Sequence, residues 1–104
     1  FVKTVYRQVR VTLSEVLYIE GLKDYVKIYV SGAAKPVVTL SSLKTREDIL
    51  PATDFVRVHR SFIVNVNAVE VIERQRIVFG KTYVPVSDSY REAFLAAMSR
   101  KSVL

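Results

Sequence analysis

Apolar and polar residues alternate along much of this chain, which is the pattern of a strand with one buried and one exposed face. The cleanest case is the segment 25–30, in which Val26, Ile28 and Val30 share one face. The segment 16–19, VLYI, is instead a continuous apolar run, which is typical of a strand buried on both faces. Between these two segments, residues 21–24 (GLKD) predict a hairpin connection.

The same pattern predicts further strands on both sides of this hairpin. A rough alternation covers residues 5–11, and the other predicted strands span 37–40, 55–58, 62–65, 69–72, 77–79 and 83–86. Arg74-Gln75 and Gly80-Lys81 are turn signals between the last three. Because helices and strands do not alternate regularly, the sequence favours antiparallel sheets over a parallel doubly wound sheet.

Two segments follow the helical period instead. Residues 43, 46, 47 and 50 have the spacing of one helix face, after Ser41 and Ser42 as possible caps and before Pro51. Near the C-terminus, Ser89 and Glu92 have the spacing of a capping box, and residues 90, 94 and 98 form one apolar stripe. The basic tail after residue 99 is expected to fray.

Length and composition restrict the possible classes of protein. A chain of 104 residues is one domain, and the absence of cysteine excludes disulfides and thiolate metal sites and fits a cytoplasmic protein. No apolar run approaches the ~20 residues of a membrane helix, and no signal peptide is visible. The chain starts at Phe1 without a methionine, so we interpret it as part of a longer protein.

The balance of charge favours a polyanionic partner. The formal net charge is +6, and the cationic residues are interleaved with tyrosines, a combination that suggests nucleic acid. The alternative is that the excess of positive charge serves only to keep the protein soluble. A membrane surface is disfavoured because no long basic amphipathic helix is present.

Enzyme signatures are scarce. The chain has one histidine and three scattered glycines, so it lacks a glycine-rich phosphate loop and a second histidine for a metal site. Asp54, His59 and Ser61 could be imagined as a triad, but nearness in sequence does not establish triad geometry. The sequence therefore predicts no enzyme, no cofactor and no metal.

Three polar clusters at predicted turns are the candidate binding residues. They consist of Lys23, Asp24, Tyr25 and Lys27; of His59, Arg60 and Ser61; and of Ser87, Asp88, Ser89 and Arg91. The third lies at a predicted helix N-terminus, where backbone N–H groups attract phosphate. Each cluster also has a structural interpretation: an ordinary hairpin, a structural histidine, and a helix cap with Asp88 favouring the helix dipole. In the segment 55–65, Val56, Val58, Phe62 and Val64 are expected in the core and Arg57 in solvent.

Four separated blocks resemble the LytTR family of DNA-binding domains. These blocks are VLYIE at 16–20, DYVKI at 24–28, FVRVHRSFIVN at 55–65 and VPVSDSY at 84–90. The resemblance covers roughly residues 3–95, and its most specific part is 57–65. It implies a mainly β fold of about ten short antiparallel strands in small stacked sheets, with a short mid-chain helix and a C-terminal helix. The domain would span residues 1–99, followed by a basic tail at 100–104.

The family resemblance also implies a function. Such domains are output domains of bacterial response regulators. They usually follow a phospho-accepting receiver domain in the same chain, which is the partner of a sensor kinase. They bind double-stranded DNA through loops inserted into successive major grooves, and the resemblance implies target sites that are direct repeats or paired half-sites bound by two copies. When the family's contacts are transferred to this sequence, residues 23–25 form the first reading loop. The middle contact is Arg60, beside His59 and Ser61. The second reading loop is 87–89, which leads into Tyr90 and Arg91. Phosphate contacts would come from Lys23, Lys27, Arg60 and Arg91, with Tyr25 as a further candidate.

Asp88 departs from the family pattern. Many members place an arginine there, which can read guanine through two hydrogen bonds. An aspartate could accept from a cytosine amino group or only cap the helix, so a different target sequence is expected. Two other functions stay open: a protein-interaction surface built from Tyr6, Tyr25 and Tyr29, and single-stranded nucleic-acid binding by tyrosine stacking.

Overall fold

The structure, a computed structural model, describes residues 1–4 and 7–101, in which ten strands form three antiparallel sheets beside two helices. The predicted mainly β fold class is thereby confirmed. The strands are β1 (Val2–Lys3), β2 (Gln8–Val9), β3 (Val16–Gly21), β4 (Tyr25–Val30), β5 (Val37–Leu40), β6 (Phe55–His59), β7 (Phe62–Asn65), β8 (Val71–Glu73), β9 (Arg76–Phe79) and β10 (Thr82–Pro85). The helices are α1 (Leu43–Ile49) and α2 (Asp88–Lys101), with 3₁₀ turns at Leu13–Glu15 and Val66–Ala68.

A five-stranded sheet with the order β5-β4-β3-β7-β6 forms the centre of the fold. One face packs against Leu43 of α1 through Val16, Ile19, Val26, Ile28, Phe55 and Ile63. The other face packs against Ile77, Val84 and Phe94 through Tyr18, Val58 and Val64. Because both faces of the central strands are buried, β3 has the continuous apolar run seen in the sequence.

The two smaller sheets flank this centre. β8, β9 and β10 form a meander whose β8–β9 turn has positive φ at Arg74 and Gln75, the conformation of a type I′ hairpin turn. The predicted strand at 69–72 starts two residues late, because Val69 ends a 3₁₀ turn by donating to the carbonyl of Val66. β1 and β2 pair with each other, so the segment 5–11 is not one strand; Val5 and Tyr6 of that prediction lie outside the described residues.

The mid-chain helix was predicted correctly and the start of the terminal helix was not. Ser42 caps α1 by accepting from the Thr45 N–H at 3.0 Å. α2 begins at Asp88, so Ser89 lies within its first turn and the predicted capping box is wrong. The helix continues to Lys101, whose Nζ donates to Asp54 at 2.9 Å, so residues 100 and 101 of the predicted tail are helical in the structure. Residues 102–104 of the predicted tail lie outside the described part.

No helix in residues 1–4 and 7–101 is long and apolar enough to cross a membrane.

Candidate nucleic-acid interface

The topology brings the first two polar clusters to the same end of the central sheet. β3 ends where β7 begins, with Glu20 opposite Phe62 in the register. The backbone N–H of Gly21 donates to the carbonyl of Ser61 at 2.7 Å and links the β3–β4 loop to the β6–β7 turn. Lys23 and Arg60 therefore line one groove of about 400 Å³.

The β3–β4 loop is held tightly at its base. The Leu22 N–H donates to the carbonyl of Tyr25 at 2.8 Å, which leaves Lys23 and Asp24 exposed at the tip. Gly21 packs directly on α1, since a Cβ at this position would lie 2.9 Å from the Cβ of Leu43. The loop is thus a short, anchored projection.

The β6–β7 turn presents Arg60 at its exposed tip. Its backbone is shaped by His59, whose Nδ1 accepts from the Ser61 N–H at 3.0 Å. An accepting Nδ1 places the ring proton on Nε2, so the imidazole is a donor on its other side. The ring packs at a tilt on Phe62, with the centroids 5.7 Å apart.

Arg57 fixes this turn from behind, a role that the sequence analysis missed. Its Nε donates to the carbonyl of His59 at 3.0 Å, its Nη2 donates to the carbonyl of Arg60, and its Nη1 pairs with Glu47 of α1 at 2.9 Å. The side chain is 17% exposed, so the expectation that Arg57 only faces solvent is wrong. The signal was in the alternation, because residues 55 and 57 lie on the same face of a strand and Phe55 is a core residue.

The third cluster, Ser87, Asp88, Ser89 and Arg91, is attached to β6, the strand that carries Arg57. The Ser87 N–H donates to the carbonyl of Val58 at 2.9 Å, and its hydroxyl reaches the same oxygen at 3.5 Å. Asp88, Ser89 and Arg91 are exposed on the first turn of α2. A carboxylate is favourable there because it faces the positive end of the helix dipole.

Lys27 and Tyr25 lie away from the groove. Lys27 is half-buried in β4, with Glu20 and Val38 as its cross-strand partners. Tyr25 lines a different cavity of about 650 Å³, together with Val38 and Leu40 of β5. The structure therefore separates these two members of the first cluster from Lys23.

Tyr29 is partly buried and packs against the core, so it does not belong to an exposed tyrosine surface. Its ring stacks on Tyr18 with the centroids 4.4 Å apart, and its hydroxyl donates to Glu20 at 3.3 Å. Burial, aided by the charge of Glu20, raises the pKa of both tyrosines, so both stay neutral and protonated at ordinary pH. Tyr6, the third member of the tyrosine surface considered above, lies outside the described residues.

The imagined triad is not assembled. The carboxylate of Asp54 accepts from Lys101 and Asn67, both at 2.9 Å, and these contacts lower its pKa. The Nδ1 of His59 is occupied by a backbone N–H and not by Asp54. In the described residues, no group of three or more acidic or histidine side chains could hold a metal ion.

Comparison with known proteins agrees with this architecture. The family model of the LytTr DNA-binding domain matches residues 6–99. The sensory transduction proteins LytT of Bacillus anthracis and Bacillus cereus are each 36% identical to the chain over 91 residues. Those matches cover 79% of this chain and 35% of each relative, so the chain spans about a third of their length.

A solved structure gives the same result for the fold. A LytTr DNA-binding domain from Bacillus cereus superposes with a TM-score of 0.76 at 30% identity, over 93% of each chain. The family model, the two curated relatives and the solved domain all point to one assignment. The chain belongs to the LytTr DNA-binding domain family.

Proposed function

We propose that this domain binds double-stranded DNA sequence-specifically, as the output domain of a two-component transcriptional regulator. The observation behind this proposal is the groove in which Lys23 and Arg60 converge at one end of the central sheet. Membership of a DNA-binding domain family supports DNA as the partner, and the convergence of Lys23 and Arg60 supports this groove as part of the binding face.

Three cations, two in this groove and one on the first turn of α2, are available to phosphate. The ion pairs formed within the described residues join Lys44 to Asp48, Arg57 to Glu47 and Lys101 to Asp54. Lys23, Arg60 and Arg91 are exposed and take part in none of them. Each can neutralise a backbone phosphate and release counterions, which makes binding weaken with added salt.

Base reading is assigned to the two flanking loops. In this proposal the tip at 23–25 enters one major groove, the segment 87–89 enters the next, and Arg60 meets the backbone between them. Asp88 can accept from a cytosine amino group but cannot grip guanine as an arginine does. Lys27 and Tyr25 do not line the protein groove that holds Lys23 and Arg60, so we place Lys27 at the margin of the footprint and Tyr25 at the base of the inserted tip.

The regulatory context is also part of the proposal. The LytT relatives are sensory transduction proteins of about three times the matched length. We propose that a receiver domain in the same polypeptide and a cognate sensor kinase control this domain, and that two copies bind paired half-sites.

Selection from random duplex DNA tests the proposal. We expect enrichment of a defined motif, and the selected duplex should compete for binding far better than either of its single strands. Equal competition by the single strands would point to base stacking on the β surface instead. Failure to enrich any motif would contradict sequence-specific recognition.

A further inference from the structure

We infer that Arg57 is a positioning residue of the DNA-binding face, which holds the Arg60 turn in shape without touching DNA itself. This inference rests on the proposed function, since it concerns the same face. The segment 57–65, which is the most specific part of the family resemblance, would then contain two arginines with different tasks.

Each of the three guanidinium nitrogens of Arg57 donates a hydrogen bond within the protein. Two of its nitrogens donate to the consecutive carbonyls of His59 and Arg60, and the third pairs with Glu47. A planar fork of fixed donors suits this arrangement, because one group can bind two carbonyls and a carboxylate at once. With its charge paired and its side chain 17% exposed, Arg57 is poorly placed to meet a phosphate.

The turn that Arg57 holds is connected to the other contact points. The carbonyl of Ser61 accepts from Gly21 at the base of the first loop. The guanidinium carbon of Arg57 lies 6.0 Å from the centre of the Tyr90 ring, on the first turn of α2, at the limit of a cation–π contact. Arg57 therefore touches α1, the turn and α2, and its loss would loosen the spacing of all three clusters.

A double-mutant cycle on the selected duplex tests the inference. Arg57→Ala and Arg60→Ala are measured singly and together, each across a series of salt concentrations. We expect Arg57→Ala to weaken binding roughly tenfold, the scale of one hydrogen bond to a charged group. The loss of affinity in the double variant should be smaller than the sum of the two single losses, because Arg57 acts in part through Arg60.

The salt dependence separates positioning from direct contact. Arg60→Ala should reduce the slope of log K against log salt by about 0.9, the value for one lost phosphate contact, and Arg57→Ala should leave the slope unchanged. Arg57→Lys keeps the charge but not the fork, so we expect it to bind as weakly as Arg57→Ala. Lys44→Ala is the matched control, because it removes one cation whose ion pair lies within α1.

Amide hydrogen exchange in the free protein gives a readout that does not need DNA. With Arg57→Ala, the Ser61 and Gly21 amides should exchange faster while the core strands stay protected. Unchanged exchange, additive losses of affinity or a reduced salt slope for Arg57→Ala would overturn the inference. If the wild-type domain bound no duplex at all, the proposed function would fail first and this inference with it.

Discussion

Asn65 is the last residue of the segment 57–65, the most specific part of the family resemblance. It should be essential for stability and dispensable for DNA binding. It is 2% exposed, its Nδ2 donates to the carbonyl of Val16 at 2.8 Å, and its Oδ1 accepts from the Asn67 N–H at 3.0 Å. The pairing of β3 with β7 begins at Tyr18, so it provides no backbone donor for the carbonyl of Val16. The Asn65 side chain supplies that donor instead. Asn65→Ala removes both contacts and leaves a buried carbonyl unpaired.

The expected cost follows from that geometry. Two net hydrogen bonds at ~1 kcal/mol each, together with an unsatisfied buried carbonyl, amount to about 2–4 kcal/mol. At roughly 4–8 °C per kcal/mol for a domain of this size, the melting temperature should fall by about 8–32 °C. Urea unfolding followed by circular dichroism measures the free energy directly, with an unchanged m value.

Two further variants test the reasoning behind this figure. Asn67→Ala removes an exposed amide that donates only to Asp54, so it should cost less than about 1 kcal/mol. Asn65→Asp removes the donor and sets a carboxylate against the Val16 carbonyl, so it should be worse than alanine at neutral pH. If Asn65→Ala unfolded within about 0.5 kcal/mol of the wild type, the typical range for a surface change, the account of this contact would be refuted.

Three other predictions concern the supports of the site. Gly21→Ala should cost about 1–3 kcal/mol in urea unfolding, since its Cβ would lie 2.9 Å from that of Leu43; a neutral result would show that α1 moves freely. The pKa of Asp54 is lowered by the hydrogen bonds from Lys101 and Asn67, so its contribution to stability is present above the ordinary pKa of an aspartate and is lost as the pH falls through the lowered value. Asp54→Asn should therefore flatten the acid side of the stability–pH curve, and an unchanged curve would contradict that linkage. Ser42→Ala should destabilise the domain by about 1 kcal/mol through loss of the α1 cap, and Ser41→Ala, which leaves this cap in place, should have a smaller effect.

Local patterns predicted the elements that depend on local chemistry. The alternation at 25–30 became β4, and the serine cap and terminal proline bounded α1 as expected. The turn at Arg74-Gln75 also formed where the polar pair predicted it. These features are readable because neighbouring residues alone decide backbone conformation there.

The errors arose where tertiary contacts decide. Arg57 was assigned to solvent because the carbonyls and the glutamate that it binds come from a turn and a helix that the strand pattern does not show. Tyr29 was assigned to an exposed face, but the meander covers that face and Tyr29 stacks on Tyr18. Ser89 matched a capping spacing, yet the helix starts at Asp88, two residues before the start that a Ser89 cap would give, after Ser87 bonds to β6. The candidate clusters were found by sequence, and only the fold showed which of their members share a groove.

The salt dependence of duplex binding by Arg60→Ala is the sharpest test of whether DNA lies across the groove of Lys23 and Arg60. Lys35→Ala is the control, since it removes an exposed cation from the β4–β5 connection at the far end of the sheet. We expect Arg60→Ala to weaken binding to every duplex and to lower the salt slope by about 0.9, and Lys35→Ala to change neither. Unchanged affinity and slope for Arg60→Ala would show that DNA does not bind across this groove.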